Sequence, residues 1–243
     1  MHYHIVYKRF GDRAILIEWP KEISTSILRD ILNFKEKLSI DLHKDILETR
    51  SAYNSLLVVY NKVITSFKET CNTLTCIYKQ AGSLPKQKST LWKIPVCYDF
   101  SFGLDLRDMA KAKQMSVSNI IEHHTAAIYT VYFLGFLPGF MYLGGLDKVL
   151  KMPRKSMPRM KIEKGAVAIG GDQTGVYPME SPGGWNIIGN TPINFFNVAN
   201  SEPCFVNAGD TIKFYAVSQE EYNDIKVLVQ AGVYQLTSKM IDD

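Results

Sequence analysis

The chain has 243 residues and is 46% hydrophobic, enough for one large domain or two ordinary ones with real cores. A net charge of +4 spread over 52 charged residues excludes the global field that nucleic acid or a membrane surface would select, so neither is expected as a partner. The four cysteines (Cys71, Cys76, Cys97 and Cys204) form no Cys-x-x-Cys pair and have no histidine at ligand spacing, which argues against a metal site and for buried free thiols. With no signal-peptide core and no run of about 18 apolar residues, a cytoplasmic setting is expected.

In chain order, Tyr3–Tyr7 and Ala14–Trp19 flank Gly11-Asp12 and read as a hairpin. Ser24–Ser26 offer N-caps to a stretch in which Ile27, Leu28, Ile31, Leu32 and Leu38 recur at helical spacing. A strand follows at Ser55–Tyr60, and Phe67, Cys71, Leu74 and Ile77 mark one face of a second helix, so the first third reads as a small α+β sandwich. Periodicity vanishes over Ala81–Thr90, which places an N-terminal domain at 1–85 and a second at 86–243. The second domain opens with a strand at Leu91–Val96, a helix at Leu104–Gln114, and another capped by Ser116 or Ser118 that ends near His124. Short apolar runs then follow at Tyr129–Phe133, Ala166–Ile169, Trp185–Ile188, Pro203–Val206 and Thr211–Val217, with a hairpin turn at Ala208-Gly209-Asp210. They predict a closed or nearly closed β-barrel. Ser218 and Glu221 form a capping box for a last helix through Val229, with Gly232 as its stop.

Leu134–Pro192 holds 11 of the 16 glycines and 6 of the 10 prolines, a density that builds rigid, non-repetitive loops. Gly135-Phe136-Leu137-Pro138-Gly139-Phe140 brackets aromatic rings with turn formers, as a pocket wall or partner face would, and equally as a barrel corner packed on its own core would. Six cations lie between Asp147 and Glu163 with no acid among them, and Pro153 and Pro158 stiffen the backbone at Arg154 and Arg159. Two guanidiniums fixed in this way suit a carboxylate or phosphate, although charge runs are commonly solvated faces. Gln173, Thr174 and Tyr177, then Ser181, Gly183, Gly184 and Trp185, set hydrogen-bonding groups among glycines above an apolar floor; strained turns bonding their own backbone are the competing account. His123 and His124 follow a helix, where either is a general base or a surface histidine favoured by the helix dipole. The motifs G-x-S-x-G, H-E-x-x-H, G-x-x-x-x-G-K-[ST] and G-x-G-x-x-G are all missing, so a nucleotide site would be of another kind or completed by a partner.

The blocks Thr130–Phe140, Tyr142–Asp147, Pro153–Arg159, Gln173–Pro178, Ser181–Trp185 and Ile188–Pro192 resemble the family of the B subunit of bacterial 5-oxoprolinase, allophanate hydrolase subunit 1 and the histidine-kinase inhibitor KipI. Weaker matches lie at Gly11–Ala14, Phe102–Asp105, His124-Thr125 and Ala208–Asp210. The resemblance implies an α+β chain: a small α+β sandwich followed by a cyclophilin-like β-barrel. It further implies a subunit of a multi-component hydrolase that opens 5-oxo-L-proline to L-glutamate with ATP. The partners implied are a subunit 2-type protein, like the C component of 5-oxoprolinase, and a third component, with ATP bound together with a partner subunit. The alternatives are inhibition of a sensor histidine kinase and amidolysis or carboxyl transfer on a urea derivative.

A lactam is a poor electrophile, and phosphorylating its oxygen would open its carbon to water, which calls for cations and oriented donors. On residue chemistry at these positions, Arg154 and Arg159 are expected to hold anionic groups. Gln173, Thr174 and Tyr177 would orient the substrate, with Phe136, Pro138, Ser181, Gly183, Gly184 and Trp185 lining the site, and His124 would assist proton transfer. Ala166 stands where the family suggests Ser, and Asp172 adds an acid beside Gln173.

Overall fold

The computed structural model describes residues 3–80 and 88–242, and the chain divides into two compact units, Met1–Gln87 and Lys88–Asp243. Of the connection expected at Ala81–Thr90, residues 81–87 lie outside the described residues.

In the first unit β1 (Val6–Phe10) and β2 (Ala14–Glu18) form the expected hairpin, with the first strand shifted toward the turn. Then come α1 (Thr25–Asp41), β3 (Ile46–Ser51), β4 (Ser55–Tyr60) and α2 (Phe67–Lys79). The antiparallel sheet has the order β1-β2-β4-β3. Ile15, Ile17, Leu56 and Val58 project from it against Ile27, Ile31, Phe34 and Leu38 of α1 and Leu74 and Ile77 of α2. Strand β3 escapes the sequence reading because it is a polar edge strand, Ile-Leu-Glu-Thr-Arg-Ser, with no buried residue. Ser24 stands at the N-cap of α1, yet its hydroxyl bonds Ser26 Oγ at 2.6 Å rather than the helix, whereas Ser66 caps α2 by accepting from the Glu69 N–H.

The second unit contains β5 (Lys88–Cys97), α3 (Leu106–Lys113), α4 (Val117–Ala126), β6 (Tyr129–Leu134), β7 (Met141–Gly144) and a 3₁₀ turn at Lys148–Leu150. These lead into β8 (Arg159–Ile162), β9 (Ala166–Gly170), β10 (Gln173–Val176), β11 (Ser181–Gly183), β12 (Asn186–Asn190), β13 (Thr211–Val217), α5 (Gln219–Gln230) and β14 (Ser238–Asp242). Seven strands close a barrel in the order β5-β13-β6-β7-β10-β9-β12, shut by the Asn190–Cys97 pairing, while β14 adds to the free half of β5. The chain is therefore α+β, a small sandwich and a β-barrel.

Alternation along β9 and β12 gives the barrel wall two apolar faces. Val167, Ile169 and Ile188 point into the main core with Ile94, Val96, Val131, Leu143 and Phe214. Ala166, Ala168 and Ile187 point the other way, into a second cluster with Phe140, Ile162, Tyr177 and Trp185. The Gly- and Pro-dense stretch thus builds an outer layer on the barrel, and the small β8–β11 ribbon is part of it.

Two expectations fail. Pro203–Val206 is not a strand, and Ala208-Gly209-Asp210 does not turn a hairpin, since β13 runs parallel to β5 and antiparallel to β6. The cause is Asp210, a buried residue. Its carboxylate accepts from the backbone N–H of Thr90 (2.8 Å) and Asn207 (2.9 Å) and from Trp92 Nε1 (3.1 Å), and its carbonyl accepts from the Val131 N–H (2.8 Å). It fastens β13 to the strands on both its sides. Of the cysteines only Cys97 is buried; Cys76 is exposed, and all four are free. The capping box of α5 is complete, with Ser218 Oγ accepting from the Glu221 N–H at 3.1 Å and Glu221 Oε2 from the Ser218 N–H at 2.7 Å. No described helix is long and apolar enough to cross a membrane.

Asp210→Ala leaves three part-buried donors without their acceptor, at about 1 kcal/mol each. Equilibrium urea unfolding should show a loss of at least about 2 kcal/mol, against about 1 kcal/mol for Ser218→Ala at the exposed cap.

Candidate functional site

The outer layer is organised by Trp185. Its ring lies directly against Gly170, where an added Cβ would fall 2.6 Å from the indole, so no other residue fits there. Phe140 meets Trp185 edge-on at 5.6 Å and Tyr177 at 5.5 Å. Burial raises the Tyr177 pKa above the ordinary tyrosine value, against the smaller lowering effect of the Trp185 backbone N–H. Gly183 passes directly over this phenol, where a Cβ would stand 2.3 Å from the oxygen.

Two loops rise above this floor. In the first, Phe136 is 63% exposed, packs edge-on against Phe140 at 5.6 Å, and holds φ at +66°. A bulky residue in the left-handed region is a true outlier, and here three short-range backbone bonds impose it: Gly135 N–H to Phe140 O, Leu137 N–H to Gly135 O, and Phe140 N–H to Leu137 O. Such strain is typical of sites that must present a side chain outward. Pro138, in the same loop, is exposed.

The second loop carries Arg154, whose guanidinium lies over the Trp185 ring at 5.8 Å. The flanking backbone is pinned on both sides. Met152 exchanges backbone bonds with Gly171 (3.0 and 2.7 Å), the Pro153 carbonyl accepts from Asn186 Nδ2 (2.9 Å), and the Lys155 N–H donates to Gly184 O (2.7 Å). Arg154 is exposed and has no ion-pair partner among the described residues.

Phe136, Arg154, Gly183 and Gly184 are thus brought together above Tyr177 and Trp185, which were expected to meet a substrate but are buried beneath them at 2% and 6% exposure, and three other expected residues lie elsewhere. Arg159 does not pair with Arg154 as a fork for a ligand. Both its terminal nitrogens are bound to Asp105 at 2.8 Å, and Lys155 Nζ joins them at 2.6 Å. Asp105 is buried, and its carboxylate also accepts from the Ile187 N–H at 2.7 Å. Burial pushes the Asp105 pKa up, but the hydrogen bonds from Arg159, Lys155 and Ile187 together outweigh it and hold the group below the usual carboxylate value.

His124 is neither at the surface nor at the site. It is fully buried, stacked on Phe214 at 4.9 Å, with Nδ1 2.7 Å from the Tyr98 hydroxyl and Nε2 2.9 Å from Thr174 Oγ1. Thr174, also fully buried, donates its hydroxyl proton to Ala168 O at 3.0 Å, so it accepts from Nε2–H and leaves Nδ1 to accept from Tyr98. Both imidazole nitrogens are satisfied within the core, and neither His124 nor Thr174 reaches a substrate. His123 is the accessible imidazole of the pair, its Nδ1 2.8 Å from Asp147 Oδ2.

The remaining residues frame the site. Gln173 is half-buried in the tight β9–β10 turn, and Ser181 is buried with Oγ donating to Pro182 O at 3.2 Å. Asp105 was missed as a site residue. Its position before α3 reads as an ordinary helix cap, and its partners lie 50 and 54 residues away. Among the described residues no group of three or more His, Cys, Asp or Glu is placed to hold a metal ion.

The chain matches the family described as carboxyltransferase domain, subdomain C and D, over residues 5–206. It belongs to that family. It is 34% identical to the 5-oxoprolinase B subunit of Bacillus subtilis, over 90% of this chain and 95% of the relative, and 37% identical to that of Haemophilus influenzae, over 84% and 94%. The crystal structure of TTHA0988 superposes with a TM-score of 0.73 at 30% identity, over 85% of this chain and 40% of that one. Both 5-oxoprolinase relatives are described as subunits.

Burial drives the His124 pKa from 6.5 down to about 3. Between those values the unfolded chain carries a proton that the folded one lacks, so stability falls as pH drops through the window, by up to about 1.4 kcal/mol per pH unit, and the contribution is flat above about pH 7. Urea titrations at pH 7, 6, 5 and 4 should show this component in the wild type and lose it in His124→Gln. Gly183→Ala should displace Tyr177, visible as a lowered melting temperature, because its methyl has no space over the phenol.

Proposed function

We propose that this chain is the B-type subunit of a multi-component, ATP-dependent 5-oxoprolinase that opens 5-oxo-L-proline to L-glutamate. The observation that carries the reading is the match to 5-oxoprolinase B subunits at 34–37% identity over nearly their whole length. In this reading Arg154 takes the carboxylate of the lactam substrate. It is the cation of its loop with no acid against it, and it stands over an aromatic floor that excludes water from one side. The exposed apolar side chains of this unit, Phe136, Met157 and Met160, are offered to a subunit 2-type partner.

The residues present do not make a phosphate-binding loop, so ATP is assigned to another component and no step is routed through it here. The contribution of this chain is to bind and orient, with the carboxylate on Arg154 held over the Trp185 ring.

Combined with a subunit 2-type partner and a third component, the chain should release glutamate from 5-oxo-L-proline only when ATP is present. Arg154→Ala should lower kcat/KM about 10- to 100-fold, the range for loss of one charge-assisted hydrogen bond, with an unchanged melting temperature. A complete complex without turnover would overturn the reading.

A further inference from the structure

Asp105 occupies the N-cap of α3, where an aspartate ordinarily accepts from its own helix, yet its side chain makes no cap bond. The carboxylate turns away from the helix, is almost wholly buried, and takes four donors from three other places: Arg159 Nη1 and Nη2, Lys155 Nζ, and the Ile187 N–H. Its backbone N–H donates to Ile187 O at 2.9 Å, so the two residues are joined twice. A residue that forgoes its local role for distant partners marks a place where position matters more than helix stability.

The partners identify what is being positioned. Lys155 follows Arg154 directly, Arg159 ends the same loop at the start of β8, and Ile187 stands two residues beyond Trp185 on β12. One buried charge therefore fastens both halves of the Arg154–Trp185 pair to a common point. Lys155 and Arg159 face Asp105, and Asp108 also acts on Arg159, so these charges roughly balance and Arg154 is left as the uncompensated cation of the loop. The loop keeps its attraction for an anion even though Arg159 and Lys155 are committed. We infer that Asp105 is a positioning residue that sets Arg154 over Trp185, and so acts on anion binding through Arg154 without touching the ligand. The ligand assignment rests on the 5-oxoprolinase reading; the positioning does not.

The test is a double-mutant cycle read in two ways. In the chain alone, Arg154→Ala changes tryptophan emission by uncovering Trp185. Asp105→Asn should reproduce that change, and adding it to Arg154→Ala should change nothing more. In the active complex, Asp105→Asn and Arg154→Ala should each raise the KM for 5-oxo-L-proline about tenfold with kcat within about twofold, and the double variant should be no worse than Arg154→Ala alone. If Asp105→Asn does not fold, Arg159→Lys and Lys155→Met weaken the same tether from the loop side and should give the same non-additive pattern. Wild-type emission and KM in these variants, or effects that multiply with those of Arg154→Ala, would overturn the inference. A wild-type complex without turnover removes the 5-oxoprolinase reading, while the emission cycle still decides the positioning.

Discussion

The buried carboxylate of Asp105 is the constraint on which the outer layer of the barrel depends. Removing a carboxylate from water costs several kcal/mol, offset only when its oxygens are fully engaged. Here a bidentate arginine, a lysine and a backbone N–H meet that requirement. Lys155 comes from an irregular loop, Arg159 from the start of β8 and Ile187 from β12, so satisfying one buried charge also ties that loop to the barrel wall.

Around that anchor the wall is stiff for a second reason. The aromatic floor of Phe140, Tyr177 and Trp185 sits on a strand face made of Ala166, Ala168, Gly170 and Gly175, residues small enough for rings to lie against the backbone. The concentration of glycines thus has a packing cause more than a flexibility cause. It yields a rigid apolar layer crossed by Arg154 and rimmed by the strained Phe136.

The barrel interior solves a different problem. Tyr98, His124 and Thr174 form a closed chain of hydrogen bonds that ends on a strand carbonyl, and burial without a charged partner keeps the imidazole neutral. A histidine near a helix C-terminus looks functional from the sequence because the dipole favours its charge there. In the folded chain desolvation exceeds the dipole, and the residue works as polar mortar between α4 and β10.

Local order was legible in the sequence wherever a period or a cap carried it. The hairpin at Gly11, the faces of α1 and α2, the capping box at Ser218 and Glu221, and the strands at Ala166 and Thr211 all follow from side-chain spacing. The density of Gly, Pro and aromatic residues also located the outer layer and named Arg154 and Trp185. What only the tertiary structure decided is which polar groups are already committed. Arg154 and Arg159 have the same chemistry and the same preceding proline, yet one is free and the other is bound to a carboxylate 54 residues earlier. His123 and His124 are adjacent, yet one meets solvent and the other the core. Helical and strand periods report which face of an element is apolar, whereas the commitment of a charge depends on partners brought close only when the barrel shuts, and no local pattern records that.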